Sequence, residues 1–422
     1  MKRLCVVADT YPPKKDGVVT FLRHVLPELS RHYRITLVAP RFSRSRSFGG
    51  AEVVLSSCIP LELASYAPAI PSARLARAIR RCDMVLVNDL APLGSAAITI
   101  AKAMHKPVAV FCHHDEATML EKAFRLDQRR LVPEKRIRRV VNSVVRSHYR
   151  RADLFFVATS RFRDKLLTLG VPESKVVFAP FGVDTAMFRR VRSTLRRRLG
   201  IPEDAKVVLY LGRMSHEKNV ETLIRAIPLI SSRAEDVHFI FAGGGAALEE
   251  YRRLAQRLCG DARVHFTGWV EWEQTPEYYS AADVFVHPSL HESQSMSVME
   301  AMACECAVVV SRDSEAGSYL RDGYNCLFLS NPSSPEELGE KVAELLENHA
   351  LRRTLSRRAR ETMLRYSWEA HVSALLEGLG RIESPHQSRR RARSRVRQLL
   401  LNRYITITLL LLLIAGKGKM GL

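Results

Sequence analysis

Short, unbroken apolar runs rich in β-branched residues recur along this chain, and between them apolar positions return every three or four residues. In the first half the runs are residues 4–8, 35–39, 84–87, 108–112, 154–158 and 176–179, with helical spacing between them at, for example, 20–31 and 92–104. A strand covered on both faces by crossover helices has no polar side to show, so continuous runs predict buried parallel strands. The second half repeats the alternation with runs at 207–211, 238–242, 264–266, 284–286 and 307–310. Each half therefore predicts a doubly wound α/β domain. Residues 181–200, with Gly182, an Asp184 turn and a basic helix, read as a connection and put the boundary near 185–205. The expected division is 1–190, 191–366, a helix in 367–382 that packs back toward the first domain, and a tail at 383–422 that is basic and then apolar.

An open α/β sheet binds its ligand beyond the carboxyl ends of its strands, so the chemistry is sought in the loops that follow strands. After 207–211 comes Gly212-Arg213-Met214-Ser215-His216-Glu217-Lys218-Asn219, opening a helix at Val220. Arg213 and Lys218 flank one strand-to-helix turn, where both cations can converge on a diphosphate, Arg as a planar fork and Lys as a compact charge. An ordinary exposed turn accounts for the same pair. After 284–286 comes His287-Pro288-Ser289-Leu290-His291-Glu292, then Gln294, and a helix that opens near Ser295, Met296 and Ser297 and carries Glu300. The backbone N–H groups of that helix end suit an anion, and carboxylates beside them suit sugar or ribose hydroxyls. A capping acid and a solvated helix face are the plainer reading of Glu292 and Glu300.

Charge and composition narrow the field. Against 44 Asp and Glu the 422 residues carry 65 Lys and Arg, a net +21, which favours anionic partners: nucleotides, nucleic acid or an acidic membrane surface. The eight cysteines form no Cys-x-x-Cys pair and fit reduced thiols in a cytoplasmic protein. Neither Cys304-Glu305-Cys306 nor Cys112-His113-His114 has a second ligand pair to complete a metal site, and Pro288 breaks any helix that would align His287 with His291. The apolar core behind Met1-Lys2-Arg3 is too short for a signal peptide, and no segment has the roughly eighteen apolar residues of a spanning helix.

Taken in order, these residues resemble the family-four retaining glycosyltransferases of GT-B fold, which include sucrose and glycogen synthase relatives and many glycolipid glycosyltransferases. The resemblance covers about 1–380 and rests on Asp9-Thr10-Tyr11-Pro12 leading to Asp16-Gly17-Val18-Val19, on His113, and on Phe181-Gly182-Val183-Asp184. It continues through Gly212-Arg213, Glu217-Lys218, Phe241-Ala242-Gly243-Gly244-Gly245, Phe266-Thr267-Gly268-Trp269-Val270, the Glu292 and Glu300 pair, and Arg321-Asp322-Gly323. It implies two Rossmann-like domains facing across a cleft, the first on the acceptor side and the second binding a nucleotide sugar. It also implies retaining, metal-independent hexosyl transfer with no cofactor beyond the nucleotide diphosphate sugar. Residue by residue it assigns Arg213 and Lys218 to the diphosphate, Glu292 to the transferred sugar, Glu300 to the ribose, His113 to the sugar's far side, and Gly17 to a flexible loop near the phosphates. Ser295, Met296 and Ser297 complete the donor site. A UDP-sugar is the expected donor, with a GDP-sugar as the alternative. Gln294-Ser295 stands where the family often has Phe-Gly, and resembles a glycolipid-synthesising branch. Glu305 replaces a common Gly at a helix end, where a left-handed residue is usual.

The acceptor is read from charge. Arg125, Arg129, Arg130, Lys135, Arg136, Arg138, Arg139, Arg146, Arg150 and Arg151 interleave with apolar residues, as in a basic amphipathic helix that lies on anionic lipid. The tail adds an Arg-rich stretch at 389–395 and an apolar run at 405–415. A lipid acceptor is expected, and with it a peripheral location on the inner face of the cell membrane. A soluble sugar, sugar phosphate or polysaccharide acceptor is the alternative. A nucleic-acid-binding protein accounts for the charge but gives Glu292 and Glu300 no part, so no nucleic acid is expected among the partners.

Overall fold

In a computed structural model the chain divides into two compact units, Met1–Ala179 with Val372–Leu422, and Pro180–His371. The structure describes residues 1–14, 16–41, 47–57, 71–88, 90–113, 134–260, 263–290, 292, 294–312 and 319–383; within these, only the backbone of 134–138, 140, 141 and 144 is described.

The first unit is built on β1 (Lys2–Ala8), β2 (Tyr33–Pro40), β3 (Ser47–Phe48), β4 (Ala51–Ser56), β5 (Met84–Asn88), β6 (Val108–Cys112), β7 (Leu154–Val157) and β8 (Val176–Phe178). They pair in the order β3-β4-β2-β1-β5-β6-β7-β8, every pair parallel except the short β3–β4 edge. Helices α1 (Gly17–Ser30), α2 (Ala73–Arg81), α3 (Pro92–Ala103), α4 (Glu134–Tyr149) and α5 (Ser160–Thr168) make the crossovers. The strand order reverses between β1 and β5. All five residues of β5 and of β6 are buried, which is why both read as unbroken apolar runs.

The second unit has β9 (Lys206–Leu211), β10 (Val237–Ala242), β11 (Val264–Gly268), β12 (Val284–His287), β13 (Ala307–Ser311) and β14 (Leu327–Leu329). Their order, β11-β10-β9-β12-β13-β14, is that of a dinucleotide-binding sheet, and the direction of winding switches between β9 and β12. Around it lie α6 (Leu195–Arg198), α7 (Val220–Arg233), α8 (Leu248–Cys259), α9 (Thr275–Ala281), α10 (Met296–Ala303), α11 (Pro335–Glu347) and α12 (His349–Met363). A last helix, α13 (Trp368–Ile382), begins in the second unit and passes at Val372 into the first, where Gly378 lies against Phe156 and Leu154.

The units part between Ala179 and Pro180, ahead of the boundary expected at 190. The residues just beyond are held inside the second unit. Phe181 N–H donates to Gln294 Oε1 at 2.8 Å, Val183 N–H donates to Tyr366 O at 3.0 Å, and Phe188 packs edge-on against Trp272 and Tyr279. The basic helix expected in 181–200 is only the four-residue α6, which the left-handed Gly200 at φ +68 and Pro202 beyond it bring to an end.

Glu305 ends α10 with φ +57. Its N–H reaches Met302 O at 3.1 Å and Cys306 N–H reaches Ala301 O at 3.0 Å, the paired bonds of a Schellman turn. A glutamate held left-handed costs about 1 kcal/mol, part of which glycine forfeits through its freer unfolded chain. Glu305→Gly, at an exposed position, is therefore expected to raise the melting temperature by about 2 °C. A scanning-calorimetry trace with no rise would show that the turn carries no strain.

Candidate functional site

The switch point of the second sheet gathers Lys218, Glu292, Ser295 and Ser297 of the sequence-predicted residues. Two loops meet there, one after β9 and one after β12, and hydrogen bonds to backbone carbonyls lock them together. Glu217 O accepts from Leu290 N–H at 3.0 Å and from Ser289 Oγ at 3.2 Å, and Asn219 Nδ2 donates to Pro288 O at 3.1 Å. Asn219 is left-handed at φ +53, which turns the chain from this loop into α7.

This lock places the Lys218 ammonium in contact with Glu292 Oε1, both side chains about 15% exposed. His287, the last residue of β12, puts Nε2 3.0 Å from the same oxygen and 3.3 Å from Ser295 Oγ, which lies 3.1 Å from Ser297 Oγ. Burial alone raises the Glu292 carboxyl, but the Lys218 charge and the His287 bond outweigh it and hold the group well below the usual carboxylate range. Glu292 is thus a fixed anion and Lys218 its fixed cation. His287 stacks parallel to Tyr210, which sets its ring plane.

Arg213 stands differently. Its guanidinium is about half exposed and lies 3.4 Å from Glu217, so the two cations of the turn face different carboxylates. Ser295, Met296 and Ser297 open α10, whose first N–H groups have no acceptor within the helix.

Glu300, in the second turn of α10, is buried. Trp272 Nε1 donates to one carboxylate oxygen at 3.2 Å and Tyr279 OH to the other at 2.9 Å. Burial pushes its pKa up to about 7 against the pull of these two donors. Each oxygen can accept a second bond, so two positions stay available for hydroxyl groups.

In the first unit His113 follows β6 and is buried, its Nε2 3.1 Å from Asn88 Oδ1 and its ring edge-on to Phe21. Asn88 ends β5, next to the first unit's own switch point. Asp9 follows β1 and accepts from Leu93 N–H at 3.3 Å and Gly94 N–H at 3.2 Å; burial raises it to about 7 despite those bonds. Gly17 is the first residue of α1 and not part of a loop as expected, because Asp16 caps the helix by accepting from Val19 N–H at 2.9 Å.

Sequence reasoning did not find His287, Trp272, Tyr279 or Asn88. His287 carried a signal: it ends a strand at the switch point, five residues before Glu292. Weighing it only as a helical partner of His291 hid that. The basic stretch at 125–133, the tail at 384–422, His114 and His291 lie outside the described residues. Within α4, Arg139, Arg146 and Arg150 are exposed and line a groove with Asn142, Ser143 and Ser147. No described helix is long and apolar enough to cross a membrane. Cys304 and Cys306 are buried, their thiols pushed up by that burial, and no three described His, Cys, Asp or Glu gather as metal ligands.

Two Rossmann-like sheets in one chain, the second with a cation, a fixed carboxylate and a helix end at its switch point, match the GT-B architecture. Residues 15–187 match Glycosyltransferase Family 4 and residues 191–362 match Glycosyl transferases group 1. The chain belongs to the family-four glycosyltransferases of GT-B fold. Among its relatives is the GDP-mannose-dependent alpha-(1-6)-phosphatidylinositol monomannoside mannosyltransferase of Mycolicibacterium smegmatis, 27% identical over 340 residues, 76% of this chain and 83% of that one. The alpha-monoglucosyldiacylglycerol synthase of Streptococcus pneumoniae is 25% identical over 73% of this chain and 70% of its own length. Anabaena HepE in complex with UDP-glucose shares the fold, with a TM-score of 0.71 at 18% identity, covering 90% of this chain and 100% of that one.

Proposed function

We propose that this glycosyltransferase moves a hexose from a nucleotide diphosphate sugar to a membrane lipid, with retention and without a metal ion. The observation that carries the reading is the Lys218–Glu292–His287 cluster at the carboxyl end of β9 and β12. Breaking the anomeric C–O bond leaves positive charge on the sugar and adds negative charge to the diphosphate. Fixed cations and N–H dipoles favour that separation because they need not reorganise as it develops. In this assignment Lys218, Arg213 and the N–H groups at Ser295, Met296 and Ser297 take the diphosphate. Glu292 receives sugar hydroxyls and Glu300 the ribose. The acceptor attacks from the face the diphosphate leaves, and the diphosphate takes its proton. His113 against the sugar and Gly17 near the phosphates follow from the family resemblance alone.

The lipid acceptor is supported by the phosphatidylinositol mannoside and diacylglycerol in the names of the two relatives. It is supported also by charge. In the first unit α2 packs on α3 and α3 on α4, and the exposed Arg77, Arg80, Arg81, Arg139, Arg146 and Arg150 lie on α2 and α4. Such a surface suits the cytoplasmic leaflet's anionic lipids. The GDP-mannose in one relative's name supports the GDP-hexose held as the alternative to a UDP-hexose.

The test is a panel of UDP- and GDP-hexoses with anionic or neutral vesicles carrying glycerolipid or phosphoinositide acceptors, in EDTA, following nucleoside diphosphate release. Release that rises with anionic vesicles, with the product keeping the donor's anomeric configuration, is the expected result. Release with a soluble sugar alone would overturn the lipid acceptor, loss in EDTA the metal independence, and no release from any donor the whole assignment.

A further inference from the structure

We propose that Asn88 is a positioning residue that holds His113 as its Nε2–H tautomer and leaves Nδ1 as the accepting nitrogen. The inference rests on the placement of His113 at the transferred sugar and deepens it. A neutral imidazole carries one ring proton, and the groups the ring meets decide which nitrogen bears it.

Asn88 ends β5 and is fully buried, so its amide must find partners inside the protein. It reaches to both sides. Nδ2 donates to Val7 O on the neighbouring β1 at 3.4 Å, and Oδ1 lies 3.1 Å from Nε2 of His113, the residue that follows β6. A backbone carbonyl can only accept, so the NH2 end of the amide has to face Val7. Rotating the amide by half a turn would set Oδ1 against Val7 O and leave two buried acceptors facing each other. Oδ1 therefore faces the imidazole, and an oxygen that only accepts needs an N–H opposite it. The proton sits on Nε2.

The ring cannot escape by turning. Phe21 of α1 meets it edge-on, with centroids 4.7 Å apart, and Phe111 of β6 lies tilted against it at 4.4 Å. A flipped ring would present carbon to Asn88 Oδ1 and orphan a buried acceptor. Nδ1 then bears the lone pair, and whatever meets it must donate, as a sugar hydroxyl does. That polarity suits the reaction. An N–H or a cationic ring aimed at the sugar would oppose the positive charge that develops as the anomeric bond breaks, and a lone pair does not. A neutral amide supplies this where a carboxylate would not, because a carboxylate beside Nε2 would also draw a second proton onto the ring. Two carboxylates on neighbouring elements are committed elsewhere: Asp9 after β1 to Leu93 and Gly94 N–H, and Asp16 ahead of α1 to Val19 N–H and Thr10 Oγ1.

Long-range 15N–1H spectra of the full chain labelled on histidine read the tautomer directly, with the His113 signals assigned by their loss in His113→Gln. UDP and GDP binding and hexosyl transfer are measured alongside for wild type, Asn88→Asp and Asn88→Leu. Wild type is expected to show the proton on Nε2. Asn88→Leu should lose that preference, and Asn88→Asp should gain the second proton near neutral pH. Both should keep nucleotide affinity, since Lys218 and Glu292 belong to the other unit. Transfer should fall about 10–100-fold, the usual effect of removing a partner that orients an imidazole. A wild-type Nδ1–H tautomer, or variants whose His113 signals match wild type, would overturn the proposal whatever the activity. The expected tautomers with undiminished transfer in both variants would instead remove His113 from the sugar, so the two failures are told apart.

Discussion

Lys218→Ala is expected to lower turnover by about 10²–10³-fold, the usual effect of removing one preorganised partner of a developing oxyanion. The same change has a second consequence that distinguishes this site from a surface ion pair. Glu292 is 14% exposed and shares its Oε1 between Lys218 and His287. Without the ammonium, a buried carboxylate is left with one imidazole, a loss that costs about 3 kcal/mol in comparable buried pairs. The pH dependence follows from the sign of the Glu292 shift. Its folded-state pKa is depressed, so its contribution to stability is complete above the unfolded carboxylate value and is lost as pH falls through the folded one. Removing Lys218 raises the folded pKa, so acid unfolding of the variant should begin at higher pH than in wild type. Steady-state turnover together with an acid-unfolding series checks both halves. Full activity with an unchanged acid limb would remove Lys218 from the site.

Gly243→Ala is expected to lower the melting temperature by about 10 °C, corresponding to about 3 kcal/mol in a unit of this size. Two independent causes add. Gly243 has φ +131, a conformation L-residues rarely adopt, and a Cβ there would sit 1.9 Å from Gly212 O, a backbone atom that no rotamer change can move aside. Relief requires the turns after β9 and β10 to separate, which pulls on the segment carrying Arg213 and so should weaken nucleotide binding too. Gly380→Ala provides the contrast: nothing lies within 4 Å of a Cβ there, φ is not left-handed, and α13 should if anything gain stability. Paired thermal melts decide the matter, and similar melts for both variants would show that the turn yields easily.

The parallel strands were legible because burial on both faces forbids polar residues, so β6 and β12 declare themselves in an apolar alphabet. β4 did not. Its apolar run, Val53-Val54-Leu55, is only three residues long between Glu52 and Ser56, and two of the three are only partly buried near the sheet's edge. β14 is three residues long, below what a hydrophobic pattern can mark. Glu292, Lys218 and Ser295 were legible from their place after strands. The company they keep was not. Trp272 and Tyr279 meet Glu300 only because the turn at Trp272–Gln274 and the helix α9 between β11 and β12 pack against α10, and no local spacing encodes that meeting. The left-handed turn at Glu305 was expected from where a glycine usually stands, and the backbone adopts it without the glycine.

The chain leaves the first unit at Ala179 and re-enters it at Val372, so the second unit is spliced into the first as a cassette. Its two ends meet: His371 Nδ1 lies 2.8 Å from Pro180 O, and Phe181 faces both Trp368 and His371. An insert whose ends touch asks little of its host, which needs only two neighbouring points of attachment. On the proposed assignment of the donor to the second unit and the acceptor to the first, the two specificities are separable in inheritance. A relative's cassette, joined at the same two points, would carry a different nucleotide sugar to an unaltered first unit, and new pairings of sugar and acceptor can arise by exchange of one uninterrupted stretch of gene.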